Sequence, residues 1–315
     1  PVSLNDTSVD LSATAGSYGR QDIKAVVQVP IIQDTLGLKL FAANVQHDGH
    51  VYSTGLNTDV GGDDKANYGF ATLWSPSDSF NMKLHYEVMK DKSEQGVYTN
   101  RNIVGELACT ITQIGFDPNN GCEKDANDGP DVTESDSANY SDNSYKSTIL
   151  TANYDTDSFL YTYIYSQRDM DEENLQDFDG SAADLLSMNF FNDWKQTSHE
   201  FRITSQFSET FQFIAGVYDW ESDFKQRWDV YDLFYQLSRL GVPPWGTGRQ
   251  GVAGYSDVFP WESDVAGNNG QTQITTSTAL FFSGDWYVND QWTATLGFRR
   301  TKEEKDFVGG ASAPG

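Results

Sequence analysis

Eight aromatic residues, Trp228, Tyr231, Phe234, Tyr235, Trp245, Tyr255, Phe259 and Trp261, are concentrated between Lys225 and Gln271 among glycine and proline. Rings gathered at a surface can stack on sugars, catechols or tetrapyrroles, and a loop seldom carries so many without burying them. Arg227, Arg239 and Arg249 in the same stretch could pair with an anionic ligand or belong to a solvated surface. A loop packed on itself is the alternative to ligand contact. Within it, Asp229 to Leu240 has the spacing of a short amphipathic helix.

Other residues capable of chemistry are sparse. Cys109 and Cys122 lie thirteen apart in a polar loop; a disulfide closing a loop of that size would contribute about 3 kcal/mol in the chain-entropy model and suit an oxidising compartment, while two unpaired thiols are the alternative. With no His or further Cys beside them, a metal pair is the weaker reading. The acidic runs Asp169 to Glu173 and Asp125 to Asp136 read as solvated loops, since Asp125 to Gly129 departs from EF-hand ligand spacing. His47 and His50 are the one close histidine pair, at the mouth of a loop. No nucleophile elbow, metal-ligand spacing or phosphate-cradling loop is present, so an enzyme is not expected, nor a cofactor or bound metal.

The elements that must position these residues are strands. Phe80, Met82, Leu84, Tyr86 and Val88 alternate strictly with Asn81, Lys83, His85 and Glu87, the pattern of a strand between two solvents. Similar segments recur near Val9–Tyr18, Gln21–Val29, Leu36–Ala42, Asn67–Trp74, Phe80–Met89, Tyr145–Tyr154, Ser158–Arg168, Thr197–Thr204, Phe211–Phe224, Thr276–Val288 and Trp292–Thr301, about eleven strands. Each is near the ~9–11 residues of a tilted membrane-crossing strand. Short connections at Pro30–Thr35, Ser75–Asp78, Asp155–Asp157 and Asn289–Asp290 alternate with long ones at about 47–65, 91–144, 169–196 and 225–271, and every long one falls at the same end. That asymmetry is expected of an all-β, up-and-down antiparallel transmembrane barrel with short periplasmic turns and long extracellular loops. Trp74, Tyr154, Phe159, Trp286, Tyr287 and Trp292, all beside turns, suit an interfacial girdle.

Composition narrows the partners. A formal net charge of −25, from 46 acidic against 21 basic residues, leaves no basic patch for nucleic acid. Mean hydropathy is low, at −0.55, which does not count against a barrel because lipid-facing and lumen-facing residues average out. A soluble sandwich or propeller is the competing fold, but no repeat every forty to fifty residues is visible. Pro1 to Asp6 shows no export segment and Gly309 to Gly315 reads as a loop. The chain is therefore expected to be a fragment.

Several stretches resemble the first half of the barrel of TonB-dependent outer-membrane receptors. Thr14 to Gly19, Val27 to Pro30 and Leu36 to Leu40 leading to His47–His50 are similar to that family's opening strands. Ser198–Ile203 with Phe213–Tyr218, and Thr276–Phe281 with Thr293–Arg299, resemble two later strand pairs, in the right order. The family's barrel has 22 strands and a plugged lumen, so the resemblance implies that residues 1–315 are a partial barrel domain, without the plug, the TonB box or the C-terminal half. It further implies an outer-membrane location in a Gram-negative bacterium and contact with outer-membrane lipid. A scarce nutrient such as an iron–siderophore would be captured by the extracellular loops, Trp228, Tyr231, Tyr235, Trp245, Tyr255, Trp261, Arg227, Arg239 and Arg249 among them. Import would be coupled to the TonB complex through the absent plug. A passive diffusion porin or another outer-membrane barrel protein is the alternative.

Overall fold

The computed structural model describes residues 1–101, 105, 129, 131–182, 186–232 and 269–311. Fourteen strands run in chain order among them: β1 (Ser8–Ala15), β2 (Gln21–Ile32), β3 (Leu36–His47), β4 (Val51–Ser53), β5 (Thr58–Val60), β6 (Asp63–Ser77), β7 (Phe80–Asp91), β8 (Val132–Thr133), β9 (Tyr140–Asp155), β10 (Phe159–Asp177), β11 (Leu186–Ser205), β12 (Phe211–Asp232), β13 (Asn269–Asn289) and β14 (Trp292–Ala311). Eleven of them form one sheet in the order β1-β2-β3-β6-β7-β9-β10-β11-β12-β13-β14, and β5-β4-β8 form a small second sheet. Every pairing in the large sheet is antiparallel between neighbours in that order. This is the eleven-strand meander expected from the alternation, and β4, β5 and β8 fall in its long connections.

Register sorts the side chains onto two faces. One row of cross-strand partners reads Met82, Ala152, Tyr163, Phe201, Val217 and Leu280, and the next toward the short turns reads Tyr154, Tyr161, Ile203, Ala215, Phe282 and Phe298. This apolar face is left open to the surroundings: Leu280 is 55% exposed, Leu296 71% and Leu11 75%. Such a surface needs lipid rather than water. The opposite face carries Lys39, Lys83, His85, Glu87, Ser147, Arg168 and Glu200 and is the lumenal one.

The upper limit of the apolar face gives the strand tilt. The first charged or carboxamide residue on it is Lys90 in β7, Lys146 in β9, Gln167 in β10, Asp219 in β12 and Arg300 in β14. Followed through the register, this boundary slips four rows, or eight residues, over the six strand-to-strand steps from β7 to β14. With a rise of ~3.3 Å and a strand spacing of ~4.8 Å, that is about 26 Å along the strands against about 29 Å across them. A horizontal membrane boundary then requires strands tilted by about 40°, the tilt of outer-membrane barrels. Below the boundary, Phe159 to Gln167 and Trp286 to Thr278 are each eight residues and Trp74 to Asp64 is ten, about 20–25 Å of height at that tilt, which fits the apolar band of such a barrel. Aromatics close its lower edge, with Trp74 against Phe80 at 5.7 Å and Phe159 against Phe207 at 5.5 Å.

Several expected boundaries are corrected. β9 begins at Tyr140 rather than Tyr145, β10 continues to Asp177 rather than Arg168, β11 begins at Leu186 rather than Thr197, and β12 continues to Asp232 rather than Phe224. The acidic run Asp169 to Glu173 is therefore strand and not loop, paired on both sides by Lys146–Asp142 and by Lys195–Phe191. Asp229 to Asp232 likewise lie in β12, not in a helix. Above the lipid both faces can be polar, and the ladder hydrogen bonds that hold the strands are indifferent to that. Ser75 to Ser77 also extend β6, through a bulge between Trp74 and Ser77, so the turn narrows to Asp78 and Ser79.

Candidate functional site

The lumenal face is organised by β2 to β10 around small networks. Gly69 in β6 lets the ring of Phe41 lie close to the sheet, since a Cβ there would stand 2.7 Å from its Cζ and 2.1 Å from the Tyr86 carbonyl. Phe41 in turn stacks on His85 with centroids 5.6 Å apart. Glu87 accepts from Asn67 Nδ2 and pairs with His85 Nε2 at 3.3 Å. Pro1 and Val2 lie in a cavity of about 500 Å³ lined by Lys39, Phe41, Lys83 and His85.

At the open end the described parts of the long connections contact the tops of the strands. His47, the last residue of β3, is held by Asp63 Oδ2 at 2.8 Å from Nε2 and by the Asp48 carbonyl at 2.6 Å from Nδ1. Lys65 Nζ donates to the other Asp63 oxygen at 2.7 Å. His50 instead meets Tyr18 edge-on at 6.3 Å, so the histidine pair is divided between two contacts. Among the described residues no three potential metal-binding side chains converge. The small sheet is tied to the top of β10: Ser53 Oγ donates to the Ser135 carbonyl at 2.7 Å and Ser135 Oγ donates to Asp177 Oδ2 at 2.5 Å. Asp177 Oδ1 caps the following turn through the amides of Asp179 and Gly180, both at 3.0 Å. Tyr98 stacks on Phe178 at 5.4 Å, and Phe178 meets Phe190 at 6.1 Å. Burial first, and then the charge of Asp177, push the Asp179 carboxyl up to about 6 against the donors Ser181 and Leu186.

The residues singled out in the sequence divide. Arg227 and Trp228 are neighbours in β12 and therefore lie on opposite faces: the Arg227 guanidinium covers the Phe191 ring at 3.9 Å on the outer face, and Trp228 is the lumenal partner of Phe190. Tyr231 lies in β12, paired with Ser187 of β11. Tyr235, Arg239, Trp245, Arg249, Tyr255, Trp261, Cys109 and Cys122 lie outside the described residues.

What the sequence reading missed is a lumenal wall on β9 to β13. Tyr145, Met170, Trp194, Phe224 and Gln273 are successive cross-strand partners on that face. The row next toward the open end is Asn143, Glu172, Asn192, Gln226 and Gln271. Its signal was present as a period of two, Phe190, Asn192 and Trp194 against Phe191, Asp193 and Lys195, in a stretch read as loop.

No family model matches the chain, and no curated protein matches it in sequence. Solved structures do match in fold. The ferric yersiniabactin uptake receptor FyuA of Yersinia pestis aligns over 96% of this chain and 43% of its own, with TM-score 0.63 and 13% identity. The siderophore receptor PiuA of Acinetobacter baumannii aligns over 99% of this chain and 45% of its own, with TM-score 0.61 and 12% identity. FpvA of Pseudomonas aeruginosa, in a complex with a heterologous ferric pyoverdine, aligns over 96% and 38%, with TM-score 0.65 and 10% identity. The chain thus spans about two fifths of the length of the receptors it matches. In fold, these eleven strands are similar to a part of the β-barrel of TonB-dependent outer-membrane receptors.

Proposed function

We propose that the chain is part of an outer-membrane receptor of a Gram-negative bacterium, which captures a scarce nutrient, an iron–siderophore or a ligand of similar size, at its extracellular loops and upper lumen and imports it by TonB-coupled active transport. The observation that carries this reading is the likeness in fold to uptake receptors along nearly the whole chain. The apolar belt, its tilt of about 40° and the loops gathered at one end agree with it. Residues 1–315 would be a partial barrel domain, and coupling to TonB would pass through a plug and TonB box outside these strands. The role assigned to this chain is binding and passage, with no bond made or broken.

The test is uptake by cells carrying the intact protein, with and without TonB, together with conductance of the purified protein in planar bilayers. Uptake lost without TonB and no steady open channel are expected. Uptake that persists without TonB, with a stable open pore, would overturn the proposal in favour of a diffusion porin.

A further inference from the structure

Above the lipid boundary the two faces of β9 to β13 separate their charges. On the outer face stand the cations Lys146, Lys195, Lys225 and Arg227. The lumenal face of the same segment carries none across three successive rows. The lowest of these rows is aromatic and apolar from β9 to β12, with Tyr145, Met170, Trp194 and Phe224, and ends at Gln273 in β13. The middle one is polar and nearly uncharged, with Asn143, Glu172, Asn192, Gln226 and Gln271. Phe190 and Trp228 stand in the third. The first cation below them on this face is Arg168, one row beneath Met170.

The middle row is a continuous ladder. Gln271 Nε2 donates to Gln226 Oε1 at 3.0 Å, Gln226 Nε2 to Asn192 Oδ1 at 3.0 Å, and Asn192 Nδ2 to Glu172 Oε2 at 2.9 Å. The Tyr145 hydroxyl donates to the remaining Glu172 oxygen. Each of these carboxamides spends one N–H on its neighbour and retains a second, and each carbonyl retains a lone pair, so a fixed row of donors and acceptors faces the lumen. Below it the Trp194 indole is held by Nε1 donating to Ser222 Oγ at 2.7 Å. A shelf of rigid rings under a rail of oriented amides offers stacking to a face of C–H groups and paired hydrogen bonds to hydroxyls. It offers no counter-charge to an anionic chelate, for which arginine or lysine would be needed.

We propose that this lumenal wall, with Trp194 and Phe224 below Asn192, Gln226 and Gln271, is a binding site for a neutral oligosaccharide. The proposal rests on the receptor reading above and names the cargo class of that receptor. The rings bear the apolar faces of successive sugar units, and the amide rail takes up their hydroxyls. The wall lies about 12–18 Å above the lipid boundary, because Glu172 is five residues above Gln167 and Gln226 seven above Asp219 at a rise of ~3.3 Å and the tilt derived above.

The test uses the intact receptor, purified in detergent, on a panel of neutral linear glucans, xylans, mannans and galactans, with a ferric tris-catecholate as the anionic comparator. Retention of at least one neutral glycan class is expected. Trp194→Ala and Gln226→Ala should each weaken that binding at least tenfold, and the outer-face variant Asp171→Asn should leave it unchanged, with heat-modifiable migration confirming that each variant is folded. If no neutral glycan is retained, or if folded Trp194→Ala binds like the parent protein, the assignment is overturned. Capture of the ferric comparator with no glycan bound overturns the carbohydrate class and keeps the receptor. TonB-independent uptake through an open pore overturns the receptor reading itself.

Discussion

Asp179 sits where the 178–185 connection, the Ser135 segment and the top of β10 meet, and its chemistry follows from that crowding. Its carboxyl is pushed up to about 6, by burial and then by Asp177. A carboxyl whose folded value lies above its unfolded one, near 3.8, keeps its proton in the fold between about pH 4 and 6 while an unfolded loop has released it. The fold of these loops is therefore favoured by acid in that window and loses the contribution as pH rises through about 6. After correction for intrinsic exchange, the amides of Ser181 and Leu186, both donors to Asp179, should be better protected at pH 5 than at pH 7.5, and Asp179→Asn should abolish the difference. Equal protection at both pH values would contradict this. Next to it, Gly180 has a φ of 59°, and a Cβ there would lie 2.6 Å from the Tyr98 carbonyl. Gly180→Val should cost about 1–3 kcal/mol of local stability, read as faster proteolysis of this connection with the barrel still intact.

At the scale of elements, the lipid boundary makes sharp distinctions within one strand. Tyr163 lies on the outer face of β10 midway between Phe159 and Gln167, whereas Asp169 is on the same face two residues above Gln167. Tyr163→Arg should destabilise the intact barrel in vesicles by about 2–4 kcal/mol, and Asp169→Arg by about 0–1 kcal/mol, measured by denaturant unfolding. Similar costs at both positions would misplace the boundary. This boundary also explains how much was legible. Inside the lipid, Phe80 to Val88 must alternate because one face meets hydrocarbon and the other the lumen, so all eleven strands could be found. Above it, Asp169, Asp171, Asp193 and Lys195 face outward while Trp194 and Phe190 face inward, which removes the apolar-out signal and hides the strand as an acidic loop. The aromatic loop was conspicuous for the same reason inverted, because composition shows where aromatics are dense but not which face they take. Arg227 and Trp228, adjacent in sequence, point to different solvents. The distribution of cations between the faces becomes visible only once the register is known.

For the whole molecule, the large sheet has β1 and β14 each paired on one side only among the described residues. Lipid cannot hydrogen-bond their open ladders, so a barrel of this kind needs further strands to close it. Residues 1–315 expressed alone should aggregate rather than insert, and a monodisperse soluble monomer would favour a soluble β fold instead. The most direct measurement is a nitroxide scan along β10, from Phe159 to Asp177, in the intact receptor reconstituted in lipid. Oxygen should relax the labels at positions 161, 163 and 165 strongly and those at 162, 164 and 166 weakly. From Gln167 upward the outer face should respond instead to a water-soluble relaxation agent. A period of two that continues unchanged to Asp177, or no oxygen-accessible face at all, would contradict a strand that crosses the membrane and rises above it to form the vestibule.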